Sequence, residues 1–389
     1  MTTTQSTTPA TTFDALQVEA IELRQIRLPL VSQFSTSFGS ESARPCIIAS
    51  VHAQGLTGYG ECVAADGPWY SYETLGTAWH VLREFLGPRL LGADVGDPAA
   101  VWDLFAPIRG HNMAKAALEM ACWDLAARAR GVSLATLLGG ARERVAVGVS
   151  VGLQESPRAL VRTVAAYLAD GYRRIKLKIE PGRDRDFVAA ARAAYPEAVL
   201  QVDANSAYTL DDADLFRAMD RLDLLLIEQP LGNDDIVDHA ALQRELRTPL
   251  CLDESIHSPA DARHALDLGS CRIINIKAGR VGGHRQSRAI HDLCQERGAP
   301  VWCGGMLETN IGRAHNVALA ALTGFTLPGD ISASARYYNH DVAGPDFALN
   351  DDSTLSVPTG PGIGVEPDPA AMEAATEHVE GYTWELGGA

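Results

Sequence analysis

The segment RIKLKIEPG (174–182) sets Lys176 and Lys178 two residues apart in an otherwise aliphatic run. Residues i and i+2 of a strand share a face, so the two ammonium groups point one way and Ile175, Leu177 and Ile179 the other. Polar residues continue to end apolar runs downstream. Lys178 to Asp203, Asp203 to Glu228 and Glu228 to Asp253 are 25 residues each, Asp253 to Lys277 is 24, and Lys277 to Cys303 is 26. Three carboxylates gathered at one place repel one another and lose hydration unless a cation joins them. Oxygen ligands without cysteine or histidine point to Mg2+ rather than zinc, with positions left for water and substrate. Such a site suits removal of a weakly acidic proton next to a carboxylate, the metal stabilising the enediolate and a lysine moving the proton. An unperturbed lysine, with a pKa of about 10.4, is a poor base at neutral pH. Neighbouring cations must therefore disfavour its ammonium form, and Lys176 beside Lys178, with Arg280 three residues after Lys277, are the candidates. Two blander readings compete: acids that cap the following helices, and lysines that serve only as ion-pair partners.

The period of about 25 residues is that of one strand-helix unit. Strand candidates are VAVGVSV (145–151), RIKLKI (174–179), VLQVDA (199–204), LLLIEQ (224–229), PLCLDE (249–254), RIINIK (272–277), PVWCGG (300–305) and TLPGDI (326–331). Strands alternating with helical patterns imply a parallel sheet, and eight of them match a TIM-type barrel. The carboxyl ends of the strands then meet at one mouth, and strands two and six place Lys178 and Lys277 across it. Ahead of the barrel, VEAIELRQIRLPL, CIIASVHAQG and GYGECVAA read as an antiparallel meander. Three helical stretches follow it, the last, HNMAKAALEMACWDLAARARG, having an apolar face and a glycine stop at Gly131. The expected organisation is a disordered lead-in (1–13), an α+β capping domain (14–140), the barrel (141–360) and a C-terminal segment (361–389) that returns to the capping domain.

At 389 residues and 46% hydrophobic content the chain is sized for two domains or a barrel with an appendage. A formal net charge of −16 without a lysine- or arginine-rich block argues against nucleic-acid or anionic-membrane partners. No stretch approaches the roughly 18 apolar residues of a membrane helix. The opening MTTTQSTTPATT lacks the features of a secretory signal. Seven scattered cysteines without a C-x-x-C pair indicate reduced thiols and a cytoplasmic protein rather than a disulfide framework. The expected partner is a small-molecule carboxylate.

KLK (176–178), VDAN (202–205), IEQP (227–230), LDES (252–255), IKAGRVGG (276–283) and CGGMLET (303–309) resemble, in order and spacing, the enolase superfamily's muconate lactonising enzyme subgroup. Within it the likeness is to N-acylamino acid (N-succinylamino acid) racemases and o-succinylbenzoate synthases, and it extends from about residue 15 to 370 through FSTSFG (34–39) and GPWYS (67–71). The resemblance implies a modified TIM barrel, (β/α)7β, with an α+β cap. It implies Asp203, Glu228 and Asp253 as ligands of Mg2+, for which Mn2+ or Co2+ can substitute. Lys178 and Lys277 become the acid/base pair, and Lys176, Asn205, Glu254, Arg280 and Glu308 supporting residues. It places Phe34, Ser37, Trp69, Tyr70, Gly304 and Met306 at the substrate, and implies a homo-oligomer, from dimer to octamer.

Racemisation needs a base on each face of the α-carbon, whereas the synthase's β-elimination of water needs one, the other lysine acting as a charge. Arg280 beside Lys277 leans toward racemisation; its alternative reading is a solvent-facing loop arginine. Where relatives often read ETG, Glu308-Thr309-Asn310 places an asparagine in a turn that calls for positive φ, and its amide is expected to alter the pocket. Dipeptide epimerisation would call for an anionic anchor where PGDISAS offers Asp330 alone. Muconate cycloisomerisation and a catalytically silent metal-binding barrel also remain open. A sugar-isomerase type of metal site would need His257 or His284, both expected in surface loops.

Overall fold

The computed structural model describes residues 15–383, so the lead-in expected over 1–13 lies outside the described residues. Strands β1 (Ala20–Thr36), β2 (Gly39–Ala53) and β3 (Leu56–Cys62) form the antiparallel meander, and β11 (Thr376–Thr383) pairs with β1 at its outer edge. Chain from beyond the barrel thus completes the first sheet. Ile47, Ala49 and Val51 of β2 face one apolar cluster while Cys46 and Ile48 face another that runs on into the barrel. Both faces of this strand are covered, which is why it is a continuous apolar run.

Helix α1 (Asn112–Ala129) differs from the expected amphipathic helix, for every residue from Met113 to Ala127 is buried. It is wedged between the cap sheet and the barrel, so no side faces water. The fit is close: a Cβ on Gly58 or Gly60 would lie 2.1 Å from the Ala121 or Ala117 carbonyl. The GYG of β3 is the bare backbone on which α1 rests.

The barrel strands are β4 (Val149–Val151), β5 (Arg174–Lys178), β6 (Val199–Asp203), β7 (Ile227–Glu228), β8 (Leu250–Leu252), β9 (Ile273–Ile276) and β10 (Val301–Cys303), all parallel and neighbouring in chain order. Helices α2 (Pro157–Ala169), α3 (Arg185–Ala194), α4 (Ala213–Met219), α5 (Val237–Glu245), α6 (Pro259–Leu268), α7 (His284–Glu296) and α8 (Asn310–Ala320) connect them or follow the last. Local chemistry sets their ends. In α6, Ser258 accepts from the Asp261 amide, Pro259 opens the first turn, and Gly269 closes it at φ +71°.

Two strand expectations are corrected. VAVGVSV is broken at Gly148, whose missing Cβ leaves room for the Arg174 guanidinium; residues 144–146 pair instead with 354–356. TLPGDI is not a regular strand, because Pro328 lacks an amide for a ladder. The segment nonetheless closes the ring through single backbone bonds: Leu327 N to Val301 O and Asp330 N to Cys303 O on one side, Gly148 N to Gly329 O and Gly329 N to Ala146 O on the other. The architecture is (β/α)7β with an irregular eighth segment. Among the described residues no helix is long and apolar enough to cross a membrane.

Candidate active site

Alternation along β5 turns Arg174, Lys176 and Lys178 into the barrel and Ile175 and Leu177 outward, all of them largely buried. Register places Lys178 beside Asp203 on β6 and Asp203 beside Glu228 on β7, while Asp253 and Lys277 each stand one residue beyond β8 and β9. Three strands therefore separate the two lysines, and both line one cavity of about 570 Å³ between the mouth and the cap.

Lys176 lies deepest. Its Nζ is 3.0 Å from Asp203 Oδ2, 3.1 Å from Glu228 Oε2 and 2.8 Å from Asp330 Oδ2, with the Trp302 ring 5.1 Å away. Burial disfavours its charge, but these carboxylates outweigh burial and hold its pKa well above the usual lysine value. Lys178 donates to Asp203 Oδ2 (2.7 Å) and Asn205 Oδ1 (2.6 Å), and Asn205 donates to Glu254 Oε1 (2.9 Å). Here burial, reinforced by the Lys176 charge, outweighs Asp203 and draws the pKa below the usual value. The deeper lysine tunes the outer one, as its position on β5 suggests.

Lys277 donates to the Tyr70 hydroxyl (3.0 Å), which donates to Asp253 Oδ1 (3.0 Å), and Lys277 Nζ is 2.8 Å from Asp253 Oδ2. Burial opposes the Lys277 ammonium, yet Tyr70, Glu254 and Glu228 outweigh burial and the repulsion from Lys176, so its pKa is raised. Of the two readings of Arg280, the solvent-facing one is excluded, since that residue is buried. It is bound to Asp253, to the Tyr70 hydroxyl and to the Ile256 and Asn275 carbonyls, so it shares Asp253 and Tyr70 with Lys277.

Burial and the Asp203 charge push the Glu228 carboxyl up to about 7, while Lys178 and Lys176 overcome burial at Asp203 and hold it far below the usual range. Asp330, the single acid where a dipeptide epimerase would need an anionic anchor, is taken by Lys176 and Arg174, which overcome burial and bring it down to about 2. Among the described residues no three acidic, thiol or imidazole groups already converge on one point. The donor set nevertheless fits a hard divalent cation, being three buried carboxylates without sulfur or imidazole. Among those residues Glu254 Oε2 is buried without a hydrogen bond, and Asp253 Oδ2 meets only the Lys277 ammonium. Asp203, Glu228 and Asp253 are the residues that could hold such an ion once their ammonium and guanidinium partners turn aside.

The cap supplies the roof. Phe34 stands edge-on to Tyr337 (centroids 6.5 Å apart), Tyr70 covers Lys277, and Met306 Sδ is 3.4 Å from Lys277 Nζ; all three line the cavity. Trp69, 68% exposed, borders this cavity and a second one on its far side. Ser37 lines only the second, its hydroxyl on the Ala204 and Asn205 carbonyls. The strand ends carry left-handed backbone at Asn205, Gln229 and Leu307, strain of the kind that gathers at functional sites.

Two further expectations, for Asn310 and His284, differ from the structure. The Gly304 α-carbon packs on Asn275, whose side chain fills the space of a Cβ. Glu308 accepts from Asn316. Asn310 is no left-handed turn residue but the first residue of α8, and its amide donates to Ala343 O and Asp346 Oδ1, away from the cavity. The left-handed residue there is Leu307. His284 is fully buried against His315 (2.9 Å) under the cap, while His257 is partly exposed. Site residues that sequence reasoning missed are Arg174, Asn275, which donates to Glu228 (2.7 Å), and the Tyr70 hydroxyl's bridging position. Arg174 and Asn275 were detectable, since each stands two residues before an inward lysine.

Residues 20–139 match the family described as the mandelate racemase/muconate lactonizing enzyme N-terminal domain, and residues 159–371 match the one described as enolase C-terminal domain-like. The chain is 50% identical over 364 residues to an o-succinylbenzoate synthase from Geobacillus stearothermophilus, covering 93% of this chain and 97% of that protein. It is 49% identical over 362 residues to an N-succinylamino acid racemase from an Amycolatopsis species, covering 93% and 98%. A solved enolase-superfamily member from Listeria innocua superposes with a TM-score of 0.91 at 43% identity, over 95% of this chain and 99% of that one.

Proposed function

Because the chain belongs to the enolase superfamily, with the N- and C-terminal domains of the mandelate racemase/muconate lactonizing enzyme type, we propose that it racemises N-acyl amino acids, N-succinyl ones above all, by 1,1-proton transfer. The observation that carries this reading is the placement of Lys178 and Lys277 in one cavity, three strands apart, on the two sides of Asp203, Glu228 and Asp253.

The substrate carboxylate sits over the three acids, its α-carbon between the lysines. Asp203, Glu228 and Asp253 would hold Mg2+, which when bound would supply positive charge to that carboxylate. One lysine in its neutral form takes the proton from one face, and the other, as ammonium, returns one to the opposite face. Lys176 keeps the Lys178 ammonium disfavoured, Asn205 orients its Nζ, and Asp253 with Tyr70 orients that of Lys277. Phe34, Trp69, Tyr70 and Met306 exclude water from the carbanion.

The relatives named o-succinylbenzoate synthase favour a second reading, β-elimination of water through the same enediolate with one lysine as base. The deciding experiment incubates the protein with Mg2+ in D2O and each of several N-succinyl amino acids, alongside the synthase substrate. Deuterium entering the α-position with loss of optical rotation is expected. Dehydration without racemisation would select the synthase reading, and no exchange with any of these compounds would sink the proposal.

A further inference from the structure

Four cations of the cavity wall have their charge met by neighbouring carboxylates. Lys176 is held by three, Lys178 by Asp203, Lys277 by Asp253, and Arg27 directs Nε to Glu377 (2.7 Å) and Nη1 and Nη2 to Asp66 (2.8 and 3.0 Å). Arg44, which β2 presents to the same cavity, is different. It is 4% exposed, its Nη2 donates to the Val63 carbonyl, and its one carboxylate partner among the described residues, Glu41, is 3.4 Å from Nη1 on a part-exposed segment. Its Nε is buried without a hydrogen-bond partner. A buried guanidinium thus keeps one donor that no protein group accepts, which is costly to leave unmade.

Its position gives that donor a use. Val63, whose carbonyl holds Arg44, packs on Gly279, where an added Cβ would lie 2.5 Å from Val63 Cγ2, and Gly279 is two residues beyond Lys277. Arg44 is therefore tied to the wall that carries one of the two proton-transfer lysines. On the reading above, the α-carboxylate occupies the acid cluster, so an acyl chain leaves the α-carbon toward the cap. We propose that Arg44 is a subsite for a second carboxylate of the substrate, the distal carboxylate of the N-succinyl group, which accepts from Nε. This deepens the racemase reading and rests on it for the orientation of the ligand. A charge-assisted hydrogen bond from a buried arginine is the strong kind, and this one would make the enzyme select diacids.

The test compares N-succinyl-L-phenylalanine with its N-succinamoyl analogue, in which the distal carboxylate is an uncharged amide, by calorimetric binding and by kcat/KM for α-deuterium exchange. With the wild-type holoenzyme the succinyl compound should be favoured roughly 10- to 100-fold in both readouts, the span of a charged hydrogen bond. The ratio should collapse toward one in Arg44→Met and be partly kept in Arg44→Lys. An equal fall for both compounds in Arg44→Met, the ratio intact, would show Arg44 to be a structural support for Val63 and overturn the subsite. So would a wild-type ratio near one, which needs no variant to fold. A binding preference without exchange of either compound would defeat the racemase reading while upholding the subsite.

Discussion

Lys176 and Lys178 stand on one face of one strand, yet Lys176 Nζ lies within 3.1 Å of three carboxylates and Lys178 Nζ within 2.7 Å of one. Two residues of depth separate an ammonium whose pKa three carboxylates raise from one whose pKa burial, with the Lys176 charge, lowers.

Replacing Lys176 by Met leaves Asp203, Glu228 and Asp330 facing one another in a buried site. Loss of the central cation should cost about 3–5 kcal/mol, the range for breaking a buried ion pair, read as a lower urea midpoint. A variant as stable as wild type would mean the carboxylates are compensated by other means.

Lys178→Ala and Lys277→Ala each remove one of the proposed bases. Interconversion of enantiomers should fall at least about 100- to 10,000-fold in either, as expected for loss of a general acid or base. Deuterium exchange should survive only for the enantiomer whose proton faces the remaining lysine. NMR of each enantiomer in D2O makes the measurement, and equal residual exchange of both by one variant would break the two-base assignment.

Glu61 of β3 accepts from Thr309 N, Thr309 Oγ1 (2.6 Å) and Gly312 N, so a carboxylate of the cap holds the first turn of α8. Burial, followed by the Glu308 charge, pushes it up to about 8. A carboxyl raised in the folded state is stabilising below its unfolded value near 4.5, and that contribution is lost as pH rises through 8. Between pH 6 and 9 the wild type should therefore lose more thermal stability than Glu61→Gln, by on the order of a few kcal/mol. Parallel melting curves across this range would contradict the assignment.

Gly60→Ala would drive a methyl into the Ala117 carbonyl. Overpacking of this kind costs about 1–3 kcal/mol or more, so the melting temperature should drop although the mouth is untouched. An unchanged melting temperature would show that α1 can shift off β3.

Addition of Mg2+ to chelator-treated protein should raise the melting temperature, since an ion bound only by the folded state stabilises it by mass action, and Asp203→Asn should blunt the rise. No rise with wild type would argue against an ion held by these three acids.

The ring of charges was legible because its period equals one strand-helix unit, and alternation on β5 told inward from outward. Strand lengths were less so: LLLIEQ yields only two strand residues, Ile227 and Glu228, since apolar runs in a barrel loop bury as well as those in a ladder. The solvent-facing alternative for Arg280 and the turn expected at Asn310 misled for a common reason. Each residue follows a strand end closely, where sequence distance says nothing of direction, and each turned to neighbours contributed by other parts of the chain. Helix α1 concealed its surroundings similarly, because a helix covered on every side has no polar stripe to reveal what covers it.

The irregular eighth segment carries a consequence beyond its shape. Its backbone touches each neighbour only briefly, but Asp330 at its end grips Lys176 and Arg174 of β5. The seam of the barrel is thus fastened by an electrostatic clasp made from the same side chains that set the proton affinity of the mouth. Any change in the charge of that cluster acts at once on Lys178 beside it and on the joint that keeps the cylinder shut.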